Sequence, residues 1–258
     1  MNKTAVVIPA YNEEQRIGLS LLGLELQAKS EYERHIVVVD NGSTDRTLET
    51  LELFGHRCGS FVLHIIKEAE KGTGAAADTG FRFAIDEIGA DVIARIDADT
   101  VPAKDWMQAI EYTFSKKSGV ALLTGPVSAG FDNDPTFFEV NLLPWIKKTG
   151  KLLKMFQYQT AGLWHFAPGH NMATTAYAYD TVGGFPRADS ITCSEDVQYS
   201  LAIAHEFGIR AMHHSKNMFV FTSQRRVREL GLLASAKYYI SENPTRRQAV
   251  TGGASDIR

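Results

Sequence analysis

Two carboxylates separated by one small residue are the part of this sequence best suited to chemistry. Asp97 and Asp99 follow an apolar run that begins at Val92. Residues i and i+2 of an extended chain point to the same side, so both carboxylates can converge on one point. Such hard oxygen donors suit Mg²⁺ or Mn²⁺, whose other ligands are usually waters and a substrate phosphate. Because Asp-x-Asp also occurs in ordinary turns, the motif by itself does not establish a metal site.

Short apolar runs alternate with segments of helical periodicity in the residues that lead to this motif. The predicted strands are 5–8, 35–40, 61–66 and 92–96. Helices are predicted at 13–28, with Ile17, Leu21 and Leu24 on one face, and at 47–54. A third helix is predicted to carry Ala77, Phe81, Ala84, Ile85 and Ile88. Continuously apolar strands are expected when both faces of a sheet are covered. The pattern therefore predicts an α/β fold with a mostly parallel, doubly wound sheet and helices on both faces.

Polar or glycine-rich residues follow each of these four strands. They are Tyr11-Asn12-Glu13, Asp40-Asn41-Gly42-Ser43, Lys71-Gly72-Thr73-Gly74 and Asp97-Ala98-Asp99. Ligands of open α/β sheets bind beyond the carboxyl ends of the strands. Surface loops supply such residues by chance, but four consecutive strand exits are better explained by one ligand site.

The second half of the sequence is less regular. It predicts a helix with Trp106, Ile110 and Phe114, followed by a strand at 120–124. A turn and strand are predicted at 169–174 and a further turn at 183–186. The last predicted helix is 195–208, with Val197, Leu201 and Ala204 directed inward. The stretch 131–166 is rich in aromatic side chains. These side chains fit the core of a helical subdomain better than the wall of a site for a substrate that accepts a transferred group.

Composition restricts the class of protein. The 258 residues, 44% hydrophobic and 22% charged, predict a globular protein with one large α/β domain or two small ones. A formal net charge of −3 gives no broad basic face for nucleic acid. Cys58 and Cys193 form neither a metal pair nor a disulfide framework, which favours a reducing, cytoplasmic setting.

No segment is predicted to enter a membrane. The apolar run after Lys3 ends at Pro9 and is too short for a secretory signal. Residues 155–179 contain no Asp, Glu, Lys or Arg, but Gln, His, Pro, Gly and Asn interrupt them, so they do not form an apolar span.

A glycine pattern after the third strand suggests a different class of ligand. Gly72-Thr73-Gly74-Ala75-Ala76-Ala77 matches the G-x-G-x-x-A pattern of dinucleotide-binding proteins. That pattern belongs to the first strand–helix turn, with an acid about twenty residues later to hold a ribose. A nicotinamide enzyme is therefore disfavoured, and the glycines can instead let the backbone approach a phosphate or a sugar.

Several motifs occur in one order along the chain and together carry a family resemblance. They are Val7-Ile8-Pro9-Ala10-Tyr11-Asn12-Glu13-Glu14, Val39-Asp40-Asn41-Gly42-Ser43-Thr44-Asp45, Lys71-Gly72-Thr73-Gly74 with Thr79-Gly80, Asp97-Ala98-Asp99, Gly183-Gly184-Phe185 and Ser194-Glu195-Asp196. This ordered set, from about residue 4 to 226, resembles the GT-A nucleotide-sugar glycosyltransferases of family 2. The resemblance implies one GT-A domain over 1–226, with a donor-binding half of about 1–100 and an acceptor-binding half of about 101–226. Residues 227–258 are expected to form a C-terminal helix and a tail with few apolar side chains.

The resemblance also implies roles at the donor site. The nucleoside pocket would be lined by Pro9, Ala10, Tyr11 and Glu13, with Asp40 reading the base or the ribose. Lys71, beside Gly72, would face the diphosphate or the sugar. Asp99 would be the principal ligand of Mg²⁺ or Mn²⁺, and Asp97 would contact the metal or the ribose. A metal suits this chemistry because the leaving nucleoside diphosphate develops negative charge.

An acidic pair, Glu195 and Asp196, opens the last predicted helix. Acids are favoured in the first turn of a helix and Ser194 is a suitable N-cap, so without the resemblance the pair is simply a helix start. In the family the second acid of such a pair usually matches the base. The resemblance thus implies that Asp196 removes the proton of the acceptor hydroxyl, with Glu195 as its neighbour or an acceptor contact.

Three histidines are weaker candidates. Some family members use a histidine near the position of His213 and His214 as a further metal ligand, but a partly exposed histidine pair is an equally good interpretation. His170 either lines the acceptor side or completes a turn.

The sequence departs from the family pattern at several positions. Asn41 stands where a second acid is common, Asp78 where an Asn is common, and Ala77 where an Arg is common, so the base and sugar contacts are open. The Gln-x-x-Arg-Trp motif of processive members is missing, and Thr222-Ser223-Gln224-Arg225-Arg226 occupies a comparable place. With no predicted membrane span, a non-processive enzyme is expected.

The expected function is that of a cytoplasmic, metal-dependent, inverting glycosyltransferase of the hexose-transferring class. Its donor would be a UDP- or GDP-sugar, and its acceptor a small or lipid-linked molecule; a homodimer is compatible with these features. One alternative is a sugar nucleotidyltransferase, which usually has an early G-x-G-x-R-type loop that Tyr11-Asn12-Glu13 lacks. The other is a nucleotide-sugar binding module without transfer activity.

Overall fold

A seven-stranded sheet forms the centre of the fold. The computed structural model describes residues 3–56, 59–129, 167–187 and 194–223. The strands of the sheet, in spatial order, are β3 (Val62–Lys67), β2 (Glu33–Asp40), β1 (Lys3–Ala10), β4 (Val92–Arg95), β8 (Met172–Thr175), β6 (Leu122–Thr124) and β9 (Met212–His214). The first four are parallel, β8 is antiparallel to both neighbours, and β9 is parallel to β6. The predicted α/β fold with a mostly parallel sheet is confirmed.

The register of the parallel strands brings their carboxyl ends to one edge of the sheet. Ala10 of β1 is opposite Asp40 of β2, which is opposite Lys67 of β3. On the other side of β1, Val7 is opposite Arg95, the last residue of β4. The four strand exits therefore lie side by side, where the side chains that follow them can converge.

Helices cover both faces of the sheet, as the apolar strands predict. They are α1 (Ile17–Glu25), α2 (Thr47–Gly55), α3 (Thr73–Phe83), α4 (Trp106–Lys116), α5 (Ala176–Thr181) and α6 (Glu195–Phe207), and a π-helical turn (Ala84–Ile88) extends α3. The core on one face, formed with α1, α2 and α4, includes Val6, Ile8, Ile17, Leu21, Leu51 and Trp106. The core on the other, formed with α3, α5 and α6, includes Ala5, Val7, Ala77, Phe81, Tyr179 and Ile203.

Two predicted helices differ in detail from the structure. α1 begins at Ile17 rather than near residue 13, because the preceding residues form a loop bonded to the loop after β2. α6 buries Val197 as predicted, but it also buries Tyr199 and Ile203, whereas the expected Leu201 and Ala204 are only half-buried. The ring of Tyr199 packs against the rings of Tyr179 and Phe185, and this contact sets the rotation of the helix.

A second, three-stranded sheet begins directly after Asp99. Its order is β5 (Thr100–Pro102), β10 (Val220–Thr222) and β7 (Val127–Ala129), with β10 antiparallel to β5 and parallel to β7. Sequence analysis did not predict this sheet, because strands of three residues are too short to show a hydrophobic period.

Some predicted features lie outside the described residues. They are the aromatic stretch 131–166, Cys58 and Cys193, the segment 224–226, and the C-terminal helix and tail of 227–258. In the ranges that the structure does describe, no helix combines the length and the apolar character needed to cross a membrane.

Candidate functional site

Hydrogen bonds join the loops that follow β1 and β2. Asn12, whose φ is 53°, accepts at Oδ1 from the N–H of Thr44 at 2.8 Å, and its own N–H donates to Ser43 Oγ at 3.1 Å. The N–H of Glu13 donates to Thr47 Oγ1 at 2.8 Å. The structure thus brings the predicted nucleoside-pocket residues Pro9, Ala10, Tyr11 and Glu13 next to the end of β2, where Asp40 lies.

Asp40 and Asn41 make different contacts at the end of β2. Asp40 is 3% exposed, and its Oδ1 accepts a backbone N–H at 3.1 Å. The Asn41 amide donates to the carbonyls of Glu68 at 2.9 Å and Glu70 at 2.7 Å, and it accepts the N–H of Gly72 at 2.9 Å. A carboxylate could not donate to two carbonyls. The loop after β3 therefore explains why an amide stands where the family often has an acid.

The Lys71 ammonium group lies between these loops. Its Nζ is 4.4 Å from the centroid of the Tyr11 ring and donates to the carbonyls of Asn41 at 2.8 Å and Gly42 at 3.3 Å. Gly42 has a φ of 76°, and a Cβ there would lie 2.8 Å from Nζ, so glycine leaves room for the ammonium group. Lys71 therefore shares the edge of the sheet with the other predicted donor contacts.

The two glycines after β3 differ in why a side chain would be unfavourable. Gly72 has a φ of 137°, a conformation that other residues rarely adopt. A Cβ at Gly74 would lie 2.4 Å from the Pro186 carbonyl oxygen and 3.3 Å from Glu195 Cβ. At Gly74 the close approach is thus to another loop and to α6.

The backbone of the Asp-x-Asp motif is bonded to three other parts of the chain. The carbonyl of Asp97 accepts the N–H of Thr100 at 3.0 Å, that of Ala98 accepts the Ser20 hydroxyl at 2.7 Å, and that of Asp99 accepts the N–H of Ser223 at 3.0 Å. The Asp97 side chain is 39% exposed. Among the described residues, no three or more His, Cys, Asp or Glu side chains are grouped as a metal site.

The acidic pair opens α6, as predicted, and its two members have different partners. Asp196 accepts the Ser194 hydroxyl and the following N–H at Oδ1, and the N–H of Gly169 at Oδ2 at 2.9 Å. Glu195 is 15% exposed, and its Oε1 accepts from Arg95 Nη2 at 3.0 Å. Burial raises the pKa of Glu195, an effect that Arg95 opposes and Asp196 reinforces.

Arg95 is a candidate that sequence analysis missed. It is 2% exposed, and its Nη2 also lies 3.4 Å from Asp97 Oδ1. Burial acts to lower the pKa of Arg95, but the carboxylates of Glu195, Asp97 and Asp196 outweigh it and raise that pKa. The available signal was a charged residue in an apolar strand, since a buried charge needs partners. The Asp-x-Asp motif and the acidic pair meet at this guanidinium group.

The two candidate histidine ligands lie on a distant strand. β9 is three strands from β4 in the sheet, which corresponds to roughly 14 Å. His213 Nε2 is 2.7 Å from Lys117 Nζ, and burial together with that cation lowers the pKa of His213. His214 ends the same strand. His170, the other histidine candidate, follows Gly169 in the loop that contacts Asp196.

Arg187 joins the loop 183–187 to α3 and to the loop after β3. Its guanidinium donates to Glu68 at 2.7 Å, Glu70 at 2.9 Å, Asp78 at 3.2 Å and Thr79 at 3.0 Å. Burial raises the pKa of Glu68, but the hydrogen bonds from Thr79 and Arg187 outweigh it and lower that pKa to about 2. These contacts were not predicted, because nothing local to residue 187 indicates its partners.

The surroundings of α3 explain two departures from the family pattern. Asp78 accepts the Tyr179 hydroxyl at 2.8 Å, and that hydroxyl accepts the N–H of Phe185 at 3.0 Å. A carboxylate suits this position because it accepts from both Tyr179 and Arg187. Ala77 of α3 is fully buried in the core, where a larger side chain would have to displace its neighbours.

Comparison with known proteins agrees with the arrangement of these motifs. The model of the family described as "Glycosyl transferase family 2" matches residues 5–182. The chain is 28% identical over 211 residues to "Glycosyltransferase AglE" of Haloferax volcanii, covering 78% of this chain and 64% of AglE. It is 32% identical over 102 residues to the undecaprenyl-phosphate 4-deoxy-4-formamido-L-arabinose transferase of Photorhabdus laumondii, covering 38% of this chain and 30% of the relative. The chain thus spans less than two thirds of these relatives.

Solved structures show the same fold. The mannosyltransferase PcManGT of Pyrobaculum calidifontis, in complex with GDP-Man and Mn²⁺, has a TM-score of 0.61 at 18% identity, covering 97% of this chain and 68% of that one. The glucosyl-3-phosphoglycerate synthase of Mycobacterium tuberculosis, with Mn²⁺, UDP and glucosyl-3-phosphoglycerate, has a TM-score of 0.61 at 16% identity, covering 99% and 82%. Since the family model matches well over half of a sequence that adopts this GT-A fold, the chain belongs to glycosyl transferase family 2.

Proposed function

We propose that this chain transfers a sugar from a nucleotide-diphosphate donor to an acceptor hydroxyl, with inversion at the anomeric carbon. The observation that carries the proposal is the contact of Arg95 with both Asp97 and Glu195, at the edge of the sheet where the loops after β1, β2 and β3 also meet. Such an arrangement offers a donor site and a proton acceptor side by side, as a displacement at the anomeric carbon requires.

The donor nucleoside would bind between the first two strand exits. Tyr11 offers an aromatic face there, beside Pro9 and Ala10, and the buried carboxylates of Glu13 and Asp40 can accept hydrogen bonds from a base or a ribose. Lys71, next to Gly72, supplies a positive charge for the diphosphate. The GDP-Man and UDP in the two structural neighbours support a GDP- or UDP-sugar as the donor.

In this proposal Asp99 and Asp97 hold Mg²⁺ or Mn²⁺. Two carboxylates, one of them 39% exposed, fit a hard divalent ion that keeps waters and diphosphate oxygens as its other ligands. When bound, the ion offsets the negative charge that develops on the leaving diphosphate. Both structural neighbours contain Mn²⁺. His213 is less suited as a ligand, because its Nε2 faces an ammonium group.

Asp196 acts as the general base. The acceptor oxygen forms its bond to the anomeric carbon on the face opposite the leaving phosphate oxygen, the old C–O bond breaks, and the proton of the hydroxyl passes to the Asp196 carboxylate. The Ser194 hydroxyl and the N–H of Gly169 orient that carboxylate. Glu195 is the poorer candidate because its carboxylate is paired with Arg95.

The acceptor class is proposed from the relatives. The transferase of Photorhabdus laumondii is named for undecaprenyl phosphate, which makes a lipid-linked acceptor one class to test beside small sugars and phosphorylated hydroxy acids. A single addition is expected for each acceptor, because the sequence lacks the motif of processive members.

A thermal-shift screen tests the donor site. UDP-, GDP- and dTDP-sugars are added with and without Mn²⁺, and the matching donor should raise Tm more strongly when Mn²⁺ is present. Release of the nucleoside diphosphate in the presence of acceptors then identifies transfer. If no nucleotide shifts Tm, the donor-site proposal is wrong. Release of pyrophosphate from a nucleoside triphosphate would instead indicate a nucleotidyltransferase, and binding with neither transfer nor donor hydrolysis would indicate a binding module.

A further inference from the structure

The side chain of Arg95 occupies a closely fitted space under the candidate site. It is 2% exposed, and its Cζ lies 5.5 Å from the centroid of the Phe185 ring. On another side lies the backbone of Gly169, where a Cβ would be 2.7 Å from both Cζ and Nη2. The guanidinium group can lie there only because residue 169 has no side chain, so its position is fixed by packing.

This one group contacts both halves of the site. Nη2 donates to Glu195 Oε1 at 3.0 Å and to Asp97 Oδ1 at 3.4 Å, although Glu195 is 100 residues away in sequence. The backbone of Gly169, which packs on the guanidinium group, also donates its N–H to Asp196 Oδ2 at 2.9 Å. Arg95 is therefore linked to the donor motif directly and to both members of the acidic pair.

The pairing of Arg95 differs from that of an arginine held for stability alone. Its Nε and Nη1 are buried without a hydrogen-bond partner among the described residues, which is costly for a charged group. Arg34, at the opposite end of the sheet, has a side chain that is 9% exposed, but it donates to both oxygens of Glu111 at 2.9 and 3.1 Å. Arg95 instead divides its contacts between two acids of the candidate site.

We propose that Arg95 is a positioning residue that sets the geometry of Asp97 at the donor site relative to Glu195 and Asp196 at the acceptor site. The inference rests on the proposed function, since it concerns the same site. Without the guanidinium group, Asp97 and Glu195 lose their common partner and the Gly169 backbone loses the group on which it packs. Transfer should suffer more than donor binding, because the contact with Glu195 is the shorter of the two.

Kinetics of arginine variants provide the first test. Arg95→Met should lower kcat about 100-fold, the effect expected of a small misplacement of reacting groups, and change the donor KM only slightly. Arg95→Lys should recover most of the rate, because an ammonium group can still pair with Glu195. The matched control is Arg34→Met, which also breaks a buried arginine–glutamate pair. It should lower Tm and leave kcat unchanged, as loss of a merely structural contact would.

A second measurement needs no turnover. Tm is compared for Asp97→Asn, Glu195→Gln and the double variant, with arginine or methionine at position 95. Because both acids share one guanidinium group, their effects should be non-additive with arginine and additive with methionine. An unchanged kcat in Arg95→Met, or additive Tm changes with arginine present, would overturn the proposal. If Arg95→Met does not fold, the additivity of the Tm changes measured with arginine at position 95 decides the question alone. Absence of transfer by the unmodified enzyme counts against the proposed function only.

Discussion

Glu195 and Asp196 are adjacent in sequence but differ in their partners. Glu195 is directed at a buried guanidinium group, whereas Asp196 accepts the Ser194 hydroxyl and the N–H of Gly169. One oxygen of Glu195 is thus occupied by an ion pair, whereas the groups that donate to Asp196 carry no charge. The difference favours Asp196 as the base of the proposed reaction.

Replacement of Asp196 by asparagine tests this role. Asp196→Asn keeps the shape of the side chain but removes the proton acceptor, so kcat should fall by about 10² to 10⁴, with Tm and donor KM little changed. Steady-state kinetics with saturating donor measure the effect. Asp180→Asn is the control, since Asp180 pairs with Arg82 outside the site and should leave kcat unaltered. Normal turnover by Asp196→Asn would remove the base assignment.

Replacement of Asp99 tests the proposed metal site. Asp99→Asn should raise the Mn²⁺ concentration needed for half-maximal rate and lower transfer about 100-fold, because charge on the leaving group is then less well stabilised. Asp97→Asn should have a smaller effect on Mn²⁺, since that carboxylate is shared with Arg95. Rates are measured over a series of Mn²⁺ concentrations. Asp86→Asn, at an exposed position in the π-helical turn, should behave as the unmodified protein; an Asp99 variant that also did so would contradict the assignment.

At the scale of the elements, α3 packs unusually closely on its neighbours. A Cβ at Gly80 would lie 2.4 Å from Val7 Cγ1, and one at Gly74 would lie 2.4 Å from the Pro186 carbonyl oxygen. The helix therefore rests directly on β1 at one position and on the loop 183–187 at the other. Gly74, which belongs to the pattern that resembles a dinucleotide fingerprint, therefore serves helix packing.

Gly74→Ala measures how much that packing matters. The added methyl group would meet a backbone carbonyl, so α3 and the loop 183–187 must separate, at a cost of about 1–3 kcal/mol in the free energy of unfolding. Unfolding in urea measures the change. Gly59→Ala is the matched control, because a Cβ there meets nothing within 4 Å. Equal stability of the two variants would show that the loop gives way without cost.

At the scale of the whole molecule, one cluster of charges connects parts that are distant in sequence. Arg187 links the loop 183–187 to Glu68 and Glu70 after β3 and to Asp78 in α3. Asn41 attaches that same loop after β3 to the end of β2. The loops after β2 and β3 are thus linked to the loop 183–187, which precedes the acidic pair in sequence.

The cluster should make stability depend on pH in acid. The folded state lowers the pKa of Glu68 from 4.5 to about 2, so Glu68 stabilises the fold above about pH 4.5, and this contribution is lost as pH falls towards 2. Glu68→Gln should therefore lower Tm at neutral pH, with the difference from the unmodified protein vanishing near pH 2. Thermal unfolding across this range measures it. Glu87→Gln, at an exposed position in the π-helical turn, is the control; a constant difference for Glu68→Gln would contradict the ionic explanation.

Most of the fold was predictable, and the exceptions have a common cause. The four parallel strands lie within a few residues of their predicted bounds, because each is marked by an apolar run in the sequence. That run is mostly buried in β1, β2 and β4, whereas the edge strand β3 is partly exposed. The three-residue strands of the second sheet leave no such pattern. The inward face of α6 was only partly predicted, because the packing of Tyr199 on rings from other segments decides it.

Some features of the candidate site were likewise predictable from the sequence, and others were not. Local patterns by themselves determined the α/β class and the polar residues at the strand exits, because periodicity and turn residues are properties of short segments. The roles expected of Glu195 and Asp196 came from the family resemblance. Only the tertiary structure decided how those residues are held. It paired Arg95 with Glu195 across 100 residues of sequence and set Gly74 against Pro186. Such contacts depend on the packing of distant segments, and no short stretch of sequence encodes that packing.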